Sequence, residues 1–210
     1  MAAALSAMGF FERNRKALLE KGYNPDRLPP GQYFTERYPV LHVGDVPQID
    51  PASWTLRVFG LVEREQTFTW DALHQLPEVE VVVDIHCVTK WSKFDMRWKG
   101  VRARDVLAQC GIEARATHVL QHAEYGYTTN TPLADVLADQ AIIAWSVDGG
   151  PVPAEHGGPV RMVIPRLYFW KSAKWLTGLE LLDHDQPGFW EQNGYHNVGD
   201  PWHEQRYWGD

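Results

Sequence analysis

Cysteine is nearly absent: the 210 residues contain two, Cys87 and Cys110. Two thiols exclude a disulfide framework and a four-thiolate zinc site. Long apolar runs are missing as well. None approaches the roughly 20 residues that span a bilayer, so no membrane partner is expected. Basic residues are outnumbered by acidic ones, 20 against 27, for a net charge of −7. That balance argues against a nucleic-acid partner, because phosphate binding there needs clustered Lys and Arg. It does not exclude a local anion pocket. The nine histidines form no His-Glu-x-x-His pair, which argues against a zinc hydrolase. Walker A, Gly-x-Gly-x-x-Gly and Gly-x-Ser-x-Gly patterns are absent. The short apolar stretch Met1–Phe11 has no positive region ahead of it, so no export signal is expected. Free thiols and the lack of a signal make a cytoplasmic location the expectation.

What is present is an ordinary globular composition, 44% hydrophobic and 22% charged, with ten tryptophans. The length suits one domain with a real core. Residues 1–30 read as a leader and linker. Phe11 to Lys21 is expected to be helical, with Gly22 as its stop and Pro25, Pro29, Pro30 and Gly31 as linker. Residues 31–185 read as the domain, and 186–210 as a tail, rich in Gly, His, Trp and Tyr, packed on it. Trp54, Leu56 and Val58 alternate with polar residues as in a strand. Val79, Val81, Val83, Ile85 and Cys87 share one face of a β-branched run, a strand signal. Further strands are expected over 118–122, 141–147, 160–164 and 179–182. Short helices are expected over 70–76, 103–110 and 132–138. Strands and helices mix without regular alternation, so the predicted class is α+β, mostly β.

Three constellations carry chemistry. Cys87 ends its strand before Val88-Thr89-Lys90-Trp91-Ser92, where a rigid strand opens into a loop. His86 and Lys90 are positioned to favour its thiolate. The plainer alternative is a buried structural thiol, which is the expectation for Cys110 on an apolar helix face. The second runs from Glu155-His156-Gly157-Gly158-Pro159-Val160-Arg161 to Arg166-Leu167-Tyr168-Phe169-Trp170-Lys171-Ser172-Ala173-Lys174-Trp175. The two glycines permit close backbone approach to a ligand. Arg161, Arg166, Lys171 and Lys174, with Ser172, offer anion donors, and a solvated basic strip is the alternative. The third is the polar, aromatic stretch His122, Glu124, Tyr125, Tyr127, Thr128, Thr129, Asn130, alternatively a tight turn into the 132–138 helix.

Together these segments resemble the molybdopterin-binding domain of the sulfite oxidase family over residues 33–185. Ile85-His86-Cys87 is similar to the strand that delivers the family's molybdenum-ligating cysteine. Trp98-Lys99-Gly100-Val101 followed by Asp105-Val106-Leu107 is similar to the family's tryptophan–glycine turn and helix. His156-Gly157-Gly158-Pro159-Val160-Arg161 resembles the segment whose His and Arg contact the pterin and its phosphate. Ser172-Ala173-Lys174 falls where the family binds the cofactor with backbone and Lys. Phe34-Thr35-Glu36-Arg37-Tyr38 falls near the family's first cofactor loop. Short stand-alone bacterial members share Leu28–Gln32, Ala123–Asn130 and Trp170–Trp175. The resemblance implies a sulfite-oxidase-like molybdopterin-binding fold of mixed sheets and short helices, with molybdenum on Cys87. It further implies cofactor contacts at Arg37, Tyr38, His156, Arg161, Ser172, Ala173 and Lys174. The reaction implied is two-electron oxygen-atom transfer on a small substrate such as a sulfur oxyanion or sulfoxide, with an external electron donor or acceptor. The active-site tyrosine corresponds to Tyr125 or Tyr127. After Cys87 the family's Asn-Arg-Arg type run is replaced by Val88-Thr89-Lys90-Trp91, leaving Lys90 as the one charge there. The chain stops soon after the cofactor domain, so a monomer is expected. Two rivals are a cysteine-nucleophile hydrolase and a non-catalytic aromatic-rich binding module. In the first, His86 is a poor base for Cys87, because neighbours on a strand face opposite ways.

Overall fold

The computed structural model describes residues 9–210, so the segment 1–8 of the expected leader lies outside the described residues. In chain order the elements are α1 (Phe10–Glu20), β1 (Tyr33–Phe34), β2 (Thr55–Gly60), β3 (Gln66–Thr69), α2 (Trp70–His74), β4 (Glu78–His86), β5 (Trp91–Arg102), α3 (Ala103–Ala108), β6 (His118–Ala123), β7 (Thr128–Pro132), α4 (Leu133–Val136), β8 (Ile142–Val147), β9 (Gly150–Pro151), β10 (Arg161–Val163), β11 (Leu176–Leu182) and α5 (Phe189–Gln192).

Two mixed sheets result. One runs β1-β5-β8-β10, with β4 on β5 and β9 on β8; the other runs β3-β2-β11-β6-β7. Few, short helices beside mostly β structure agree with the expected class. Strands β8 and β10 of the first sheet are buried on both faces. Ile143 and Met162 join the core that includes Leu56, Val106 and Leu179. Their neighbours Ile142 and Val163 join a second cluster with Cys87, Trp91, Trp98 and Phe169. The period-2 geometry of a strand sends successive side chains to opposite sides, so these strands separate a structural core from the cluster around Cys87. Cys110 lies in the first core, as expected of it.

Two expectations are corrected. Trp98-Lys99-Gly100-Val101 is not a turn but the interior of β5, which continues through it to Arg102. Gly100 is needed there because a Cβ would lie 2.1 Å from the Ile143 carbonyl oxygen on β8. Residues 128–132 are strand β7 rather than a turn into a helix. Phe94, Met96 and Trp98 of β5 point inward while Asp95 and Arg97 are exposed. α1 packs Leu18 against Leu28 and Phe94, tying the start of the described chain to β5.

Candidate functional site

Cys87 sits in the tight turn between β4 and β5. Its N–H donates to Trp91 O (2.9 Å) and its carbonyl accepts from Lys90 N–H (2.9 Å). The same carbonyl accepts from the Gln32 amide (3.1 Å), and Gln32 in turn accepts from Ser92 Oγ (3.3 Å). Ser92 Oγ also bonds His86 Nδ1 at 2.8 Å. Gln32, Ser92 and His86 are all buried. This polar chain fixes the Cys87 backbone from behind. Gln32→Ala deletes two of its links and leaves buried partners unmet, a cost of about 1–3 kcal/mol. The expected result is a lower denaturant midpoint at unchanged m-value; an unaltered midpoint would show the chain to be idle.

His86 points into that network and away from the thiol, so it neither activates Cys87 nor serves it as a base. Cys87 Sγ meets Thr89 Oγ1 at 3.2 Å. Burial pushes the thiol pKa up, and the Thr89 contacts and Lys174 act against it. The expected thiolate support from His86 and Lys90 is therefore replaced by Thr89 and Lys174. Lys90 is exposed, with φ 75°, and stands outside the cavity wall.

Cys87 opens onto a cavity of about 620 Å³. Its wall includes Tyr38, Tyr125, Tyr127, His156, Arg161, Ser172 and Lys174, so most of the predicted site residues converge. Arg37 and Ala173 do not line it. The Ala173 N–H is already donated to Gln121 Oε1 at 3.0 Å. The His156-Gly157-Gly158 turn is tight for an internal reason. A Cβ on Gly157 would lie 2.8 Å from that of Lys174, and one on Gly158 2.1 Å from Val152 O. The glycines let this turn approach the Lys174 and Val152 segments closely.

Arg161 is 1% exposed. Its guanidinium donates to His156 O (2.6 Å), Ser172 O (2.9 Å), Met162 O (3.2 Å) and Tyr38 OH (3.2 Å). None of these carries a formal charge. Burial lowers its pKa. Lys174 Nζ donates to Leu41 O (2.9 Å) and Glu155 O (2.6 Å). Burial, with Arg161 nearby, brings its pKa down to about 7. His156 stacks on Tyr38 at 3.6 Å. Burial and the two cations hold its pKa near 4. A buried cation without an opposite charge is costly. The cavity thus has a cationic wall suited to an anion. Trp91, also in the wall, buries its indole N–H with no hydrogen-bond partner among the described residues.

The other predicted anion donors belong elsewhere. Lys171 is fully buried and pairs with Glu191 at 2.7 Å. Arg166 pairs with Asp135 and does not line the cavity. Tyr127 OH donates to Trp170 O (3.0 Å), whereas Tyr125 is 69% exposed with φ 58°. Phe189, Trp190 and Tyr195 also line the cavity. They come from the C-terminal segment, which Lys171 grips through Glu191 and the Asn197 carbonyl. The aromatic content of that segment signalled a covering role, but no local pattern pointed to this wall.

A cavity with one thiol, a buried and a half-buried cation and flat aromatic walls suits a tricyclic anionic cofactor whose metal takes a thiolate ligand. Residues 43–190 match the family described as "Oxidoreductase molybdopterin binding domain". This chain belongs to that family. Its cofactor is molybdopterin with molybdenum, and it is an oxidoreductase of the sulfite oxidase type. It is 48% identical to "Uncharacterized oxidoreductase YuiH" of Bacillus subtilis, over 88% of this chain and 93% of that protein. It is 31% identical to "Putative protein-methionine-sulfoxide reductase subunit YedZ1" of Azospira oryzae, over 94% of this chain and 76% of that one. Identity to the mitochondrial sulfite oxidase of Rattus norvegicus is 30%, over 80% of this chain but 37% of that enzyme. The fold matches the sulfane dehydrogenase SoxCD of Paracoccus pantotrophus with a TM-score of 0.61 at 20% identity, covering 66% of this chain and 40% of that one. No helix among the described residues is long and apolar enough to cross a membrane.

Proposed function

We propose that this protein catalyses two-electron oxygen-atom transfer on a small sulfur oxyanion or sulfoxide, exchanging electrons with an external carrier. Molybdenum is held by the Cys87 thiolate, and the pterin phosphate by Arg161 and Lys174. The observation that carries this reading is the convergence on one cavity of a backbone-anchored thiol, the buried Arg161 and the half-buried Lys174, with no carboxylate bonded to either cation. The cofactor, when bound, supplies the two-electron redox chemistry. The chain's own residues do the rest. The three hydrogen bonds on the Cys87 backbone set where Sγ stands, as a precise ligand site requires. Thr89 and Lys174 favour loss of the Sγ proton, which metal binding demands. Trp91, Phe169 and Trp170 exclude water from the floor. His156 and Ser172 are proposed as further cofactor contacts, Tyr38 as the residue that orients Arg161 and His156, and Tyr127, half-buried where Tyr125 is exposed, as the active-site tyrosine. Unpaired Cys87 and Cys110 suit a reducing compartment, so the proposed location is the cytoplasm.

Lys174→Gln removes a phosphate donor while keeping a polar side chain. A charge-assisted bond is about twice as strong as a neutral one. The expected outcome is at least a fivefold loss of pterin and molybdenum after gel filtration. Full molybdenum content in the variant would refute the assignment.

A further inference from the structure

The two thiols of this chain differ in what faces them. Cys110 Sγ meets a carbonyl oxygen, that of Val106 at 3.9 Å, which can only accept and so suits a protonated thiol. Cys87 Sγ meets a hydroxyl, Thr89 Oγ1, at 3.2 Å, and the Val88 and Thr89 backbone N–H groups favour its charged form in the same sense. Local backbone geometry arranges this. Lys90 N–H closes a turn on Cys87 O, and Cys87 N–H bonds Trp91 O, so the chain reverses between β4 and β5. Lys90 takes φ 75°. That left-handed conformation is unfavourable for a side chain but usual where a short hairpin loop ends in a bulge. The reversal brings the side chain two residues beyond Cys87 back to the sulfur. Thr89 is β-branched, which restricts its χ1, and it lines the cavity beside Cys87. In the free thiol either atom of the Sγ–Oγ1 pair can be the donor. A metal-bound sulfur has lost its proton, so the hydroxyl is then the one donor of the pair.

We propose that Thr89 is a positioning residue that tunes the metal: its hydroxyl donates to the Cys87 thiolate and raises the reduction potential of the centre held there. A hydrogen bond draws charge from the sulfur, so the thiolate gives less to the metal and the electron-rich, reduced state is favoured. Deleting the donor therefore lowers the potential, while ligation, which needs the sulfur alone, is kept. The proposal rests on the reading of Cys87 as the metal's protein ligand and goes beyond it.

The test uses holoprotein of known molybdenum content, as wild type, Thr89→Val and Thr89→Ser. Thr89 is exposed, so a smaller side chain would admit water to the hydroxyl's place. Valine has the shape of threonine, removes the donor and fills that place; serine keeps a hydroxyl. A potentiometric titration with redox mediators is followed by visible absorption and electron paramagnetic resonance. Both signals come from molybdenum-containing molecules alone, so partial loss of metal does not hide the result. At the mediator potential that half-reduces the wild-type centre, the oxidised form of Thr89→Val should exceed the reduced form by at least about threefold. Its sulfur-to-metal absorption should move to longer wavelength, because the sulfur electrons are held less tightly. Thr89→Ser should return both readouts to those of the wild type. A purely structural role would move the melting temperature and leave potential and absorption where they are. Thr89→Val with the wild-type potential and spectrum, or Thr89→Ser restoring neither, would overturn the proposal. Wild-type protein made with an intact cofactor supply but lacking molybdenum, or Cys87→Ser protein that keeps its metal absorption, would instead overturn the reading of Cys87, and the proposal with it.

Discussion

Cys87→Ser is expected to reduce turnover by at least about a thousandfold, some 4 kcal/mol of barrier, while the protein stays folded. Serine is nearly isosteric, and the backbone bonds that set this turn involve no Sγ atom. The hydroxyl finds a partner in Thr89 Oγ1, 3.2 Å from the present sulfur. Folding therefore has little reason to change. What changes is the ligand. An alkoxide is hard and its proton is lost reluctantly at neutral pH, whereas a thiolate is soft and tunes a metal's redox behaviour. The visible absorption that a thiolate gives a bound metal should also disappear. Thermal melting, metal analysis and an absorption spectrum, beside the rate, separate these effects. A variant with near-normal turnover would mean that Cys87 is not the metal's protein ligand. Cys110→Ser should leave the rate and spectrum unchanged, since that thiol lies in the structural core.

Glu191→Ala is expected to be strongly destabilising. Glu191 and Lys171 are both 0% exposed and 2.7 Å apart. Lys171 Nζ further donates to Asn130 O (3.0 Å), Asn130 Oδ1 (2.8 Å) and the Asn197 carbonyl. Glu191 Oε1 accepts from Trp170 Nε1 (2.8 Å) and Thr129 Oγ1 (3.0 Å). Burial by itself pulls the Lys171 pKa down, and Glu191 is the first group that counters it. Removing the carboxylate leaves an ammonium and two neutral donors buried without it, a loss of about 3–5 kcal/mol. For a chain of this size that corresponds to a melting temperature lower by roughly 10 °C. The pair need not be strongly stabilising as a unit, because desolvation of both charges opposes their attraction. The double change Lys171→Met, Glu191→Leu should therefore recover most of the loss, and a double-mutant cycle would measure the coupling. A Glu191→Ala protein melting within about 2 °C of wild type would contradict this account. The variant should also bind cofactor less well, because the segment that Glu191 anchors supplies Phe189, Trp190 and Tyr195 to the cavity wall.

Local pattern made much of this molecule legible. The β-branched run to Cys87 marked β4 and the opening beyond it. The spacing of His156, Arg161, Ser172 and Lys174 singled out residues that do meet around one cavity. Gly111 marked the stop after α3, where φ is +70°. Where pattern misled, the cause was a neighbour distant in sequence. The family resemblance made Trp98-Lys99-Gly100-Val101 read as a turn, but Gly100 lies inside β5, where β8 packs against it. Lys171 and Lys174 look alike in sequence, three residues apart in one aromatic, basic stretch. One is neutralised by Glu191 and the other faces the cavity.

The sequence alone thus determined the class, the family resemblance, the cofactor it implies and the candidate thiol. These depend on residue types at short spacings, which set strand periodicity and turn chemistry. Only the tertiary structure decided which cations lack a carboxylate partner, that Lys90 is exposed and outside the wall, and that Asp45, Glu124 and the C-terminal aromatics line the cavity. Those outcomes depend on partners far away along the chain, as when Tyr38 meets Arg161 across 123 residues. Burial and charge pairing are properties of the assembled core, and no local window contains them.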